Sequence, residues 1–306
     1  MLGAEVSPPM SLFAGLSAFP ITPTNESGKV NAKELRGLLD RLVAAKVNSI
    51  GLLGSTGGYA YLSRKQRSRA IETAVKRVRG RVPVIVGVGA LRTDQAVDLA
   101  RDAEEAGADG LLLAPVSYTP LTQDEVFHHF ATVADVSELP LCIYNNPVTT
   151  NFSFNADLLK RLAEIENIQA VKMPLPKEMN VASDLERLRK VLPGDFLIGY
   201  SGDWGCSSAL LSGADCWFSV VAGLLPEPSM KLTKAAVAGD ISETQRINGC
   251  FAPLWELFQE LSSLRVVYAM ANLMGLTEAA PHLPILPVAY SELERVESAL
   301  EALEEI

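Results

Sequence analysis

Short apolar runs alternate along this chain with longer stretches whose apolar residues recur at helical spacing, in a nearly constant rhythm. The apolar runs at 16–19, 49–54, 82–89, 110–115, 139–145, 168–173, 196–201 and 216–222 predict eight strands. Between them, 31–45, 63–79, 93–106, 122–136 and 155–164 read as amphipathic helices. Asn31, Ser63, Thr93 and Thr122 stand at the predicted helix starts as N-caps, and Glu34, Gln66 and Glu125 follow three of them at capping-box spacing. Ala106-Gly107-Ala108-Asp109-Gly110 and Ser212-Gly213-Ala214-Asp215-Cys216 repeat one helix exit, a glycine cap followed at once by a strand. Runs such as Val84-Ile85-Val86-Gly87-Val88 are apolar or small throughout, as parallel strands covered on both faces are. Eight such units predict an α/β fold, a (β/α)8 TIM barrel. An open doubly wound sheet competes, but no Gly-x-Gly-x-x-Gly follows the first strand. After 224 the pattern is helical only, at 229–238, 242–274 with a break and 291–303, with a loop at 281–287. The expected division is a catalytic barrel over 1–224, then the last barrel helix and a C-terminal helical extension over 225–306. The start through Pro9 carries no pattern.

A net charge of −9 without a basic cluster argues against nucleic acid and anionic membrane as partners. No charged-then-apolar leader opens the chain, and no apolar run approaches a bilayer span. Cys142, Cys206, Cys216 and Cys250 lack CxxC spacing and read as free thiols of a reducing cytoplasm. His128, His129 and His282 lack the spacing of metal ligands, so no metal site is expected.

Lys172 is the odd residue of the sixth apolar run. Period-two alternation places it on the face of Ala170 and Ile168. If that face lines a barrel, desolvation disfavours an ammonium, and a free amine can condense with a carbonyl to a Schiff base. A lysine reaching from a strand end into solvent has the same local pattern, so the other strand ends decide. Gly54-Ser55-Thr56-Gly57-Gly58 follows the second strand, with successive N–H groups and two hydroxyls suited to a carboxylate; read blandly, it is a glycine-rich turn. Tyr144-Asn145-Asn146-Pro147 ends the fifth strand, where a tyrosine can relay protons to a carbinolamine oxygen or simply serve as a rim aromatic. Tyr200-Ser201-Gly202-Asp203-Trp204 ends the seventh with polar groups able to meet a second substrate. Thr149, Gly202, Asp203 and, after the eighth strand, Val220 complete the candidate substrate-binding set. All these ends open on one shared bowl.

On these motifs, and on 18–23 near the start, the sequence resembles the dihydrodipicolinate synthase / N-acetylneuraminate lyase family of class I pyruvate-dependent aldolases, from about residue 15 to about residue 286. The resemblance implies an imine between Lys172 and pyruvate or another 2-oxo acid, with no further cofactor. It implies that Tyr144 and Ser55 relay protons, that Ser55, Thr56 and Gly57 hold the carboxylate, and that an aldehyde is the second substrate. It also implies a cytoplasmic homotetramer, a dimer of dimers, in which Tyr118 completes the relay of a neighbouring subunit. Three positions depart from the family pattern: Thr149 replaces an arginine that binds the second substrate's carboxylate, Gly58 replaces a glutamate, and Met173-Pro174 follows the lysine. Thr149 argues against a lysine-biosynthetic synthase. The loops after strands seven and eight carry an acid and no base, which disfavours a phosphorylated acceptor and leaves a neutral or polyhydroxylated aldehyde. Two readings stand on the sequence. One is a lyase or aldolase making or breaking a C–C bond; the other is a non-catalytic barrel that binds a 2-oxo acid in a regulatory role. A lysine facing a bowl is costly to keep unused, which favours the enzyme.

Overall fold

Eight parallel strands close into a ring in the computed structural model, which describes residues 11–306. The patternless start through Pro9 lies outside the described residues. The strands are β1 (Gly15–Ala18), β2 (Ser49–Leu52), β3 (Val84–Gly87), β4 (Gly110–Leu113), β5 (Leu141–Tyr144), β6 (Ile168–Pro174), β7 (Leu197–Ser201) and β8 (Cys216–Ser219). Each pairs with the next, and β8 returns to β1 from Gly15↔Cys216 to Ala18↔Ser219. The helices between them are α1 (Ala32–Ala45), α2 (Arg64–Val78), α3 (Thr93–Glu105), α4 (Gln123–Ala134), the single turn α5 (Pro147–Thr150), α6 (Ala156–Ala163), α7 (Val181–Arg189) and α8 (Asp203–Leu211). After β8 come α9 (Pro226–Val237), α10 (Ile241–Leu261), α11 (Ser263–Leu273) and α12 (Leu293–Glu301). The fold is thus a TIM barrel with C-terminal helices, and the expected break in the long helical stretch falls at Ser262, at a φ of +75°.

The sequence pattern did not outline α7 or α8. In α8, Gly205, Cys206, Ser207, Ala209 and Leu210 are all buried, so the helix has no polar face from which a period could be read. No described helix is long and apolar enough to cross a membrane.

The helix starts follow local chemistry, with one correction. Asn31 accepts from the Lys33 and Glu34 amides, Ser63 from Gln66, and Thr122 from Glu125. Only Thr122 and Glu125 close a reciprocal box; Glu34 instead accepts from the Thr277 hydroxyl and Gln66 from the Val30 amide. Thr93 does not cap: Arg92 holds that position, and the Thr93 hydroxyl pairs with His129 Nδ1 at 2.9 Å, joining α3 to α4. A tertiary partner has displaced a local one.

The core has two parts. The larger lies between strands and helices; the smaller fills the barrel with Phe19, Ile85, Leu112, Cys142, Tyr144, Ala170, Cys216 and Phe218. The Phe19 ring fits because Gly51 faces it, where an added Cβ would come within 2.2 Å of the ring. β6 departs from plain alternation. Leu141 pairs with Ile168, but Cys142 pairs with Ala170, so one extra residue, Gln169, enters the ladder as a bulge. Gln169 is exposed, Ile168 packs in the outer core, and Ala170 lies inside. The expectation that Ile168 shares the Lys172 face is therefore corrected, whereas Ala170 does share it.

Candidate active site

Past the bulge, β6 sets Lys172 opposite Tyr144 of β5 and Gly199 of β7. The lysine is only 3% exposed although it lies near the carboxyl end of its strand. Its Nζ is 4.0 Å from the Phe19 ring centre, 4.3 Å from that of Tyr144 and 5.7 Å from that of Phe218. Three aromatic faces thus enclose the amine, an arrangement that desolvates it while their π-electrons still attract a cation. None of the ion pairs among the described residues includes it. A buried lysine without a carboxylate is rarely kept for stability alone.

The Tyr144 hydroxyl lies 2.8 Å from Ser55 Oγ, and Asn146 Nδ2 donates to it at 2.9 Å. The structure therefore brings Lys172, Tyr144 and Ser55 together. Ser55 comes from the loop after β2, which Leu53 opens in the left-handed region at a φ of +57°. For a leucine that conformation costs on the order of 1–2 kcal/mol, the kind of strain found at functional loops. The Gly58 amide donates to Ser55 O at 3.0 Å and closes the turn, with Thr56 and Gly57 inside it. Arg67 of α2 supports this side: it donates to Gly87 O at 2.7 Å and Gly89 O at 3.0 Å, and it lies 5.4 Å over the Tyr59 ring. Burial pushes its guanidinium down to about 10.

Asn146, Phe19, Phe218 and Arg67 were not singled out from sequence. Asn146 belongs to the quoted motif and carried no role; Phe19 and Phe218 were legible in principle from period-two counting in their runs. Arg67 falls in a charged helix segment that reads as a solvated face, and nothing local marks it as buried.

The remaining candidates are dispersed. Tyr118, on the loop between β4 and α4, is 95% exposed. Thr149 is exposed in α5, its hydroxyl directed at Asn146 O. Asp203 is the main correction. Rather than facing a second substrate, it is 2% exposed and accepts from Trp217 Nε1 at 2.7 Å, Val220 N at 3.2 Å and Val221 N at 3.0 Å. Its carboxylate anchors the loop after β8, so what Val220 contributes to that anchor is its amide. Burial pushes the Asp203 carboxyl above the usual carboxylate range, against the pull of these donors. Gly202 takes a φ of +96° just before α8. Tyr200 points outward to Asp184 at 2.8 Å, and Ser201 donates to Met173 O at 3.2 Å. The end of β7 is thus largely committed to the protein itself.

Such a constellation can form and break imines. A free amine in an apolar enclosure is a competent nucleophile, and hydroxyls linked Tyr144 to Ser55 can pass a proton to or from an oxygen forming beside it. Among the described residues no three His, Cys, Asp or Glu side chains gather as metal ligands would.

Comparison with known proteins agrees with this geometry. The pattern that defines the dihydrodipicolinate synthetase family matches residues 12–303. The 4-hydroxy-tetrahydrodipicolinate synthase of Neisseria meningitidis serogroup B is 33% identical over 283 residues, 92% of this chain and 96% of that protein. A solved dihydrodipicolinate synthase from Agrobacterium tumefaciens is 58% identical with a TM-score of 0.95, covering 96% of this chain and 99% of that one. The chloride-inhibited dihydrodipicolinate synthase of Acinetobacter baumannii, solved with pyruvate, is 28% identical with a TM-score of 0.87, covering 97% and 100%. The chain therefore belongs to the dihydrodipicolinate synthetase family, whose enzymes are carbon–carbon lyases that work through a pyruvate Schiff base on a lysine and need no cofactor.

Proposed function

We propose that this chain joins or cleaves a C–C bond between pyruvate, or another 2-oxo acid, and an aldehyde that carries no carboxylate of its own at the position a lysine-biosynthetic synthase would recognise. The observation that carries the reading is the enclosed Lys172 amine beside a Tyr144 hydroxyl already bonded to Ser55 and Asn146. In the forward direction Lys172 Nζ adds to the ketone carbon, and the ketone oxygen leaves as water with protons passed through Tyr144. The imine then draws electrons from the adjacent methyl carbon, which loses a proton. The resulting enamine carbon attacks the aldehyde, the new alkoxide takes a proton, and water then hydrolyses the product imine, which restores the ketone oxygen and frees Lys172 Nζ. Ser55, Thr56 and Gly57 hold the acid's carboxylate.

The acceptor side supports the narrower claim. No lysine or arginine occurs between Tyr144 and Asn151, Thr149 replaces a guanidinium with a small hydroxyl, and the one acid of the β7 loop is spent on the β8 loop. An authentic lysine-biosynthetic role does not follow from such a rim; a neutral or polyhydroxylated aldehyde suits it. The exposure of Tyr118 fits the expectation that it acts in a neighbouring subunit of a cytoplasmic tetramer built from dimers. The alternative of a barrel that binds without turnover draws no support from the close approach of the Lys172 amine, the Tyr144 ring and Ser55 Oγ.

Borohydride reduction in the presence of pyruvate tests the reading: the adduct mass should map to Lys172, and no adduct with any 2-oxo acid would overturn it. A panel of aldehydes with pyruvate, read by mass spectrometry, identifies the acceptor. Tyr144→Phe is expected to lower kcat about a hundredfold with the fold intact, within the usual range for a lost proton relay; unchanged turnover would remove Tyr144 from the mechanism.

A further inference from the structure

We propose that His282, from the segment between α11 and α12, is a positioning residue for the carboxylate cradle and takes the structural place left by the missing glutamate at Gly58. The proposal rests on the reading that the Ser55–Gly58 turn holds the 2-oxo acid. Gly58 has a φ of +68°, and a Cβ added there would lie 2.5 Å from both Cδ2 and Nε2 of the His282 ring. The imidazole edge therefore packs directly on the Gly58 backbone, and the two positions cannot both carry a side chain. The opposite side of the ring is fixed too. Tyr61 stacks on it with ring centres 6.0 Å apart at 19°, and Thr24 Oγ1 lies 3.4 Å from Nδ1. Nε2 is buried without a protein partner, an expense that packing alone does not explain.

The line of contact runs inward. His282 bears on Gly58, the Gly58 amide donates to Ser55 O, and Ser55 Oγ meets the Tyr144 hydroxyl. A ring wedged between Tyr61 and Gly58 thus limits how far the cradle can swing from the relay hydroxyl. Burial holds the imidazole below its ordinary range, so near neutrality it adds no charge beside the incoming carboxylate, where a glutamate would add a negative one.

A double-mutant cycle between Gly58 and His282 tests the inference, read as KM for pyruvate and kcat separately. Asparagine is the right probe at Gly58 because it tolerates a left-handed φ, so its Cβ reports the contact rather than backbone strain. Gly58→Asn is expected to raise KM about tenfold, since its Cβ must displace the ring. In a His282→Ala background the same change should cost less than about twofold. His282→Ala alone should raise KM several-fold, and His282→Gln should recover part of it. Equal costs of Gly58→Asn in both backgrounds would overturn the proposal, as would an unaltered KM in His282→Ala. If His282→Ala does not fold, the cycle is run with His282→Ser, which also removes the contact with Gly58, and the same two outcomes decide. Borohydride trapping at saturating pyruvate separates this failure from that of the functional reading. An adduct on Lys172 with additive KM effects removes only the role of His282, whereas no adduct in the unaltered chain removes both.

Discussion

Lys172→Ala is expected to abolish borohydride-trappable adduct with pyruvate and to cut turnover by roughly a thousandfold or more, because among the described residues no other lysine lies over the rings of Phe19, Tyr144 and Phe218. The fold should survive. The amine has no ion-pair partner to strand, and its attraction to the rings is worth only about 0.5–2 kcal/mol, offset by relief from keeping a polar group in an apolar site. Circular dichroism should therefore show an intact barrel, with any loss of stability no larger than about 2 kcal/mol. Lys172→Arg is the sharper control: it puts a guanidinium among the rings but supplies no nucleophilic amine, so it should be equally inactive. An active Lys172→Ala protein would require a nucleophile elsewhere, and the imine mechanism at this site would fall.

The largest expected effect on stability lies at Asp203, which contacts no part of the relay. Asp203→Ala leaves the Trp217 indole N–H and the Val220 and Val221 amides without their acceptor in a fully buried place. Unsatisfied buried donors cost about 1–3 kcal/mol each, and with partial relaxation a total of about 3–5 kcal/mol is expected. Denaturant unfolding measures it, and a loss under about 1 kcal/mol would show that the loop after β8 is held by something else. The pH dependence has a definite sign. The folded carboxyl is raised above the unfolded value of about 3.9, so the folded state binds the proton more strongly. Its contribution is fully present below the unfolded value and declines as pH rises through the raised folded one. Stability measured across that window should fall less steeply with pH in Asp203→Asn than in the unaltered chain.

These residues also mark what the sequence could and could not disclose. The barrel was legible because each parallel strand, covered on both faces, writes its own apolar run, and because Gly107 and Gly213 punctuate matching helix exits. Lys172, Tyr144 and Ser55 were legible because topology alone sends strand ends into one bowl. The direction of Asp203 was not, since its partner Trp217 lies 14 residues further on, and only the packed end of the barrel decides between loop and substrate. Thr93 misled in the same way: its sequence neighbours describe a helix cap, whereas His129, from another helix, is the partner that wins. His282 was read only as a residue without ligand spacing. Its contact with Gly58 joins positions more than two hundred residues apart, and no local pattern encodes it.

The extra residue in β6 leaves the amine facing inward only while it stays looped out of the ladder. Exchanging Gln169, whose side chain is exposed, should cost little. Deleting it would remove the bulge and leave Ala170, Val171 and Lys172 opposite Cys142, Ile143 and Tyr144 as before, whereas a ladder that took it in, pairing Gln169 with Cys142, would bring Val171 opposite Tyr144 and turn the amine outward among the helices. A one-residue slip at this bulge would thus leave a ring of eight strands with every residue of its chemistry still encoded, and the reactive nitrogen on the wrong side of the wall.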